Sequence, residues 1–126
     1  MGAKILAVDD EQDILLIIKT ALEDEGYSVF TSTEGGTAIE LAKKEKPQAI
    51  LLDIRMPEMN GFEVLKKLHD DDTTTNIPII MLTGEADKDT LMKALNEGVN
   101  YYIVKPFDTY QIVEKVEMAI RESSAE

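Results

Sequence analysis

Apolar residues along this chain follow two rhythms. Five short, mainly apolar runs, Ile5–Val8, Tyr27–Phe30, Ala49–Leu52, Ile79–Leu82 and Tyr101–Val104, alternate with five segments in which apolar positions recur every three or four residues. The first rhythm suits β-strands and the second amphipathic helices. Strands alternating with helices predict a parallel sheet covered on both faces, because a parallel connection needs a crossover long enough to hold a helix. The first, third and fourth runs are apolar throughout, which predicts central strands buried on both sides.

The helices are read from their spacing and their ends. Ile14, Ile17, Ile18, Ala21 and Leu22 are expected to form the buried face of the first, with Gly26 as its stop. Ala38, Leu41 and Ala42 mark a weaker second helix that ends before Pro47. Asn60 is suited to cap a third, with Val64, Leu65 and Leu68 inward. Asp87 is suited to cap a fourth, with Leu91, Ala94 and Leu95 inward and Gly98 closing it. The fifth is the best marked: Asp108 and Gln111 have the spacing of a capping box, and Phe107 and Ile112 that of a hydrophobic staple. Its core face reads Ile112, Val113, Val116, Ala119 and Ile120, and the polar residues after Arg121 are expected to fray.

In an open parallel sheet the ligand site lies outside the carboxyl ends of the strands, where strand order reverses. After the first run come Asp9 and Asp10, after the third Asp53, after the fourth Thr83 and after the fifth Lys105. Three carboxylates, a hydroxyl and an ammonium are therefore expected on one edge. Close carboxylates repel unless protons or a cation neutralise them. An all-oxygen set selects a hard ion, and Mg²⁺ favours one or two carboxylates completed by water and phosphate oxygens. A carboxylate is also a nucleophile toward phosphorus. Mg²⁺, Lys105 and Thr83 together would spread the charge of a transferring phosphoryl group.

Val8-Asp9-Asp10-Glu11, Leu52-Asp53-Ile54-Arg55-Met56-Pro57, Asn60-Gly61, Leu82-Thr83-Gly84 and Val104-Lys105-Pro106-Phe107 resemble, in order and separation, the receiver domains of two-component response regulators. The resemblance covers nearly the whole chain. It implies a flavodoxin-like (βα)5 doubly wound α/β fold with strand order 2-1-3-4-5. It also implies that Asp53 accepts a phosphoryl group from a histidine kinase or phosphotransfer protein. Mg²⁺ would be held by Asp10 and Asp53 directly, by Asp9 through water and by the Arg55 backbone carbonyl. Lys105 would contact the phosphoryl group, with a cis bond to Pro106. Thr83 and Tyr102 would be paired switch residues, read out on the face of the fourth helix, fifth strand and fifth helix, and Gly84 would leave space for phosphate. Two residues beyond Asp53 and Thr83 stand Arg55 and Glu85, which are expected to flank the approach of hydrolytic water.

Composition narrows the alternatives. At 126 residues the chain fits one domain, residues 1–126, with a core of about 4–121. The net charge of −12 argues against nucleic-acid binding. With no Cys there is no thiolate catalysis or Cys-based zinc site. The N-terminal apolar run is too short for a signal peptide or membrane span, so a cytoplasmic protein is expected. His69 reads as a solvated residue and not a phosphohistidine, and Asp70-Asp71-Asp72 as a solvated loop lacking the spaced ligands of a calcium site. A haloacid-dehalogenase-like phosphatase would need a second Asp two residues after the nucleophile, where this chain has Arg55. A nucleotide module would need a glycine-rich phosphate loop, and none is present. A stand-alone regulator and a receiver fragment of a longer protein both fit.

Overall fold

In a computed structural model that describes residues 2–56, 60–84, 88–99 and 101–124, the apolar runs become strands β1 (Lys4–Val8), β2 (Ser28–Ser32), β3 (Ala49–Asp53), β4 (Ile79–Thr83) and β5 (Tyr101–Val104). The helices between and after them are α1 (Gln12–Asp24), α2 (Gly35–Glu45), α3 (Gly61–His69), α4 (Lys88–Asn96) and α5 (Thr109–Ser124). All strand pairs are parallel and their order is β2-β1-β3-β4-β5, the flavodoxin-like order. The three wholly apolar runs are the three inner strands. Order reverses between β1 and β3, so a site is expected above their carboxyl ends.

Strand side chains alternate between faces, which splits the core into two layers. Leu6, Val8, Ile50, Leu52 and Met81 pack with α2, α3 and α4, while Ile5, Ala7, Leu51, Ile80, Leu82 and Ile103 pack with α1 and α5. Each of the fully buried Leu and Ile side chains contributes about 1.5–3 kcal/mol relative to exposure.

The helix ends follow their expected chemistry. The Asn60 side chain accepts from the N–H groups of Phe62 (2.9 Å) and Glu63 (3.1 Å). Asp108 and Gln111 exchange reciprocal side-chain to backbone hydrogen bonds of 3.0 Å each, a complete capping box. Gly26 and Gly98, at φ +95° and +93°, end α1 and α4 in a conformation that favours glycine.

Several expectations need correction. On α1 the buried residues are Leu15, Ile18 and Leu22, whereas Ile17 is 44% exposed; residues 14–18 are all apolar, so spacing alone admits two stripes and the position of the sheet selects one. On α4 only Ala94 is buried, and Leu95 is 44% exposed because the helix lies over the thin β4–β5 side of the sheet. β2 starts one residue later and extends through Thr31 and Ser32, since its register runs the full length of β1. α5 stays helical to Ser124 instead of fraying after Arg121. Asp71 does more than meet solvent: it accepts from the Thr73 N–H and hydroxyl and pairs with Lys43 of α2 at 3.3 Å. His69 is half-buried. The proposed cap Asp87 lies outside the described residues. Among the described residues no helix is long and apolar enough to cross a membrane.

Candidate functional site

Asp9 leaves β1 at the reversal point, its N–H donating to the Ser32 carbonyl of β2 at 3.2 Å. It is fully buried, and both carboxylate oxygens are engaged. Oδ1 accepts from the Glu11 N–H at 2.9 Å and Oδ2 from the Lys105 ammonium at 2.7 Å. Asp53 is the last residue of β3, not the first of the loop, since it still pairs in register with Leu82. Its Oδ1 accepts from the Arg55 N–H at 3.1 Å, the local turn that Asp readily makes with the backbone two residues on. Its Oδ2 lies 3.5 Å from the Lys105 Nζ. Lys105 follows β5 and is tied back by its own N–H to the Thr83 carbonyl at 2.7 Å; its peptide bond to Pro106 is cis.

Face alternation explains why these groups meet. Asp53 has the parity of Leu51, and Leu51, Ala7 and Ile103 all point toward α1 and α5. Asp9 and Lys105, two residues beyond Ala7 and Ile103, continue that side past the strand ends. Asp10 is exposed, yet carboxylate oxygens of Asp9, Asp10 and Asp53 all come within 4.8 Å of one another. Thr83, also the last residue of its strand, has the opposite parity. It is buried, its hydroxyl donates to the Gly84 carbonyl at 2.9 Å, and it shares its face with Tyr102, because Met81 pairs with Tyr102 and Thr83 with Val104.

The electrostatics follow from crowding acids in a buried place. Burial, then the neighbouring Asp9, pushes the Asp53 carboxyl up to about 6, against the pull of Lys105 and the Arg55 N–H. Burial likewise raises Asp9, although its hydrogen bond to Lys105 opposes the shift. Burial alone would lower Lys105, but Asp9, Asp53 and Glu11 outweigh it and raise the ammonium. The mutual repulsion of these acids is relieved by a bound cation.

The structure brings together Asp9, Asp10, Asp53 and Lys105, with Thr83 and Gly84 at the adjoining strand end. A Cβ built on Gly84 meets nothing within 4 Å, so the space beside it is open. Tyr102 stands apart, 40% exposed on the α4 side. Glu85, expected with Arg55 to flank the approach of water, lies outside the described residues. Two further residues, each part of a sequence motif, also shape the site. Gly61 donates its N–H to the Ile54 carbonyl at 2.6 Å, and a Cβ there would come within 2.5 Å of Ile54 Cα and 2.7 Å of the Asp53 carbonyl oxygen. The lack of a side chain thus lets α3 start directly against the backbone of Asp53. Glu11 holds Asp9 through its N–H, and its carboxylate lies 3.7 Å from the Lys105 Nζ. Its place beside two acids at a strand end was the available signal.

Three clustered carboxylates offering only oxygen fit a hard divalent cation such as Mg²⁺. The fold and this edge define a doubly wound α/β domain with an acid cluster and a lysine at its topological switch point. Residues 5–117 match the response regulator receiver domain, and the chain belongs to that family. It is 36% identical over 121 residues to the response regulator PleD of Caulobacter vibrioides, covering 96% of this chain and 27% of that protein. It is also 36% identical over 123 residues to the alkaline phosphatase synthesis transcriptional regulatory protein PhoP of Bacillus subtilis, covering 98% and 50%. The chain therefore spans half or less of these relatives. Among solved structures it resembles the chemotaxis response regulator CheY4 of Vibrio cholerae, with TM-score 0.87, 32% identity and coverage of 94% and 99%. A CheY-like receiver domain protein from Methanospirillum hungatei gives TM-score 0.90, 33% identity and coverage of 99% and 98%. Receiver domains are signalling domains and not conventional enzymes, which removes the phosphatase alternative.

Proposed function

We propose that the chain is a single receiver domain that takes a phosphoryl group onto Asp53 from the phosphohistidine of a histidine kinase or phosphotransfer protein, in the cytoplasm, and signals by a change of shape. The observation that carries this reading is the Asp53 carboxylate, buried at the end of β3, clustered with two further acids and 3.5 Å from an ammonium. An Asp53 oxygen attacks phosphorus, the bond from phosphorus to the imidazole nitrogen breaks, and that nitrogen keeps the electron pair. The product is an acyl phosphate. Asp10 and Asp53 would hold Mg²⁺, with Asp9 acting through water and the Arg55 carbonyl as a further ligand. When bound, Mg²⁺ supplies positive charge to the phosphoryl oxygens. Lys105 gives up part of its contact with Asp9 to meet the new charge on Asp53, and the Thr83 hydroxyl leaves the Gly84 carbonyl for a phosphoryl oxygen.

Tyr102 shares the face of Thr83, which supports a readout of that movement through its ring. The surface beyond carries exposed apolar groups: Met92 and Leu95 of α4, Tyr102 of β5 and Tyr110 of α5 are exposed by 57%, 44%, 40% and 70%. Exposed apolar groups on adjoining elements suit a protein partner. The test is incubation with acetyl phosphate and Mg²⁺ followed by intact-mass measurement. The parent protein gains one phosphoryl group and Asp53→Asn gains none. Equal labelling of the two would move the acceptor elsewhere.

A further inference from the structure

The first residue of α1's cap carries a side chain that does no capping. Glu11 occupies the N-cap position with extended backbone, and its carboxylate makes no hydrogen bond to the helix N–H groups. The carboxylate is directed instead to the Lys105 ammonium, 3.7 Å away, while the Glu11 N–H fixes Asp9 at 2.9 Å. Glu11 is 63% exposed at its side chain and Lys105 is 21% exposed, so the pair stands where the buried acids open to solvent. From this position, and resting on the reading of Asp53 as phosphoacceptor, we infer that Glu11 is a specificity-determining residue that selects phosphodonors by charge.

The physical argument is Coulombic. A donor reaching Asp53 brings its negative phosphoryl oxygens past Glu11, and the cation that would attract them, Lys105, is partly neutralised by the same carboxylate. An exposed charge within a Debye length of roughly 8–10 Å changes the encounter by about two- to fourfold for each unit of donor charge. The penalty is therefore greatest for small dianions and smaller for donors whose leaving group carries positive charge, as a protonated phosphoimidazole does. The residue screens free acyl phosphates more strongly than a phosphohistidine.

The experiment compares two probes under identical Mg²⁺, confirmed saturating for each variant. Acetyl phosphate is a dianion at neutral pH, and phosphoramidate is a zwitterion with one net negative charge. Initial labelling rates below donor saturation are measured by intact mass for the parent, Glu11→Gln and Glu11→Lys. Neither change removes a capping bond, so α1 should persist. The ratio of acetyl phosphate to phosphoramidate rates should rise about two- to fourfold in Glu11→Gln and by a similar factor again in Glu11→Lys. High salt should shrink both gains. A structural role would slow both donors together and leave the ratio unmoved, and an unmoved or falling ratio overturns the inference. If the folded parent is labelled by neither donor, the reading of Asp53 fails first and takes this inference with it.

Discussion

At the centre of the sheet the residues Ile50–Leu52 of β3 and Ile80–Leu82 of β4 are wholly buried, and α3 beside them sinks Val64, Leu65 and Leu68. Toward the β5 side, α4 buries Ala94 alone and leaves Met92 and Leu95 facing outward, next to a half-exposed Tyr102. The two regions meet at Thr83. The difference separates two tasks: Asp53 and the acids around it need fixed geometry, which dense packing on both faces supplies, whereas a signalling surface needs alternatives of similar free energy. A thinly packed helix loses little by moving.

The largest expected effect tests this contrast directly. Leu65→Ala removes a fully buried side chain of α3 and should cost about 2–5 kcal/mol in urea unfolding. Leu95→Ala on α4, with the same change of atoms, should cost less than about 1 kcal/mol, since much of the side chain is already in water. Comparable losses for the two would mean that α4 is packed as firmly as α3, and the contrast would collapse.

How legible these regions were in the sequence follows the same division. α3 could be read because Asn60 is a good cap and Val64, Leu65 and Leu68 leave one stripe to choose. α1 could not be read from spacing, since Ile14, Leu15, Leu16, Ile17 and Ile18 are all apolar and only the sheet's position decides that Leu15 and Ile18 go inward. On α4 the spacing of Leu91, Ala94 and Leu95 predicted a buried face, but only Ala94 is buried, because a periodic pattern does not report how much protein lies beneath it. The acids at the strand ends followed from topology alone. That Lys105 rests on Asp9 at 2.7 Å and only more distantly on Asp53, and that α3 begins against the Asp53 backbone at Gly61, are properties of three-dimensional approach that no spacing encodes.

A second effect, of intermediate size, belongs to the rigid centre. The Asp53 carboxyl titrates at about 6 in the fold, against 3.8 ordinarily. Its neutral form is therefore favoured by folding. Between these values the folded state binds more protons than the unfolded state, so this stabilisation is complete below pH 3.8 and is lost as pH rises through about 6. A shift of about two units corresponds to at most about 3 kcal/mol. Without Mg²⁺, Asp53→Asn should match the parent near the acid end and become more stable than it by about 1–3 kcal/mol at neutral pH. Urea unfolding across the pH range checks the sign. An Asn variant less stable than the parent at neutral pH would mean that Lys105 compensates the buried charge fully.

The smallest effect joins the metal to the same acids. Mg²⁺ that binds only the assembled cluster stabilises the fold by mass action, about 1.4 kcal/mol at ten times its dissociation constant, or a few degrees in melting temperature. Asp10→Ala removes the exposed member of the three and should abolish most of that shift while leaving the metal-free protein near parental stability, because Asp10 has no burial to lose. The gain should also weaken below about pH 6, where protons compete for Asp53. This experiment sharpens the comparison of the two regions, since hydrogen exchange on Mg²⁺ addition should slow at the β1 and β3 ends and leave α4 largely unchanged. Equal protection of α4 would mean that it is coupled to the acids before any phosphoryl group arrives, and that its thin packing is not what keeps it free to respond.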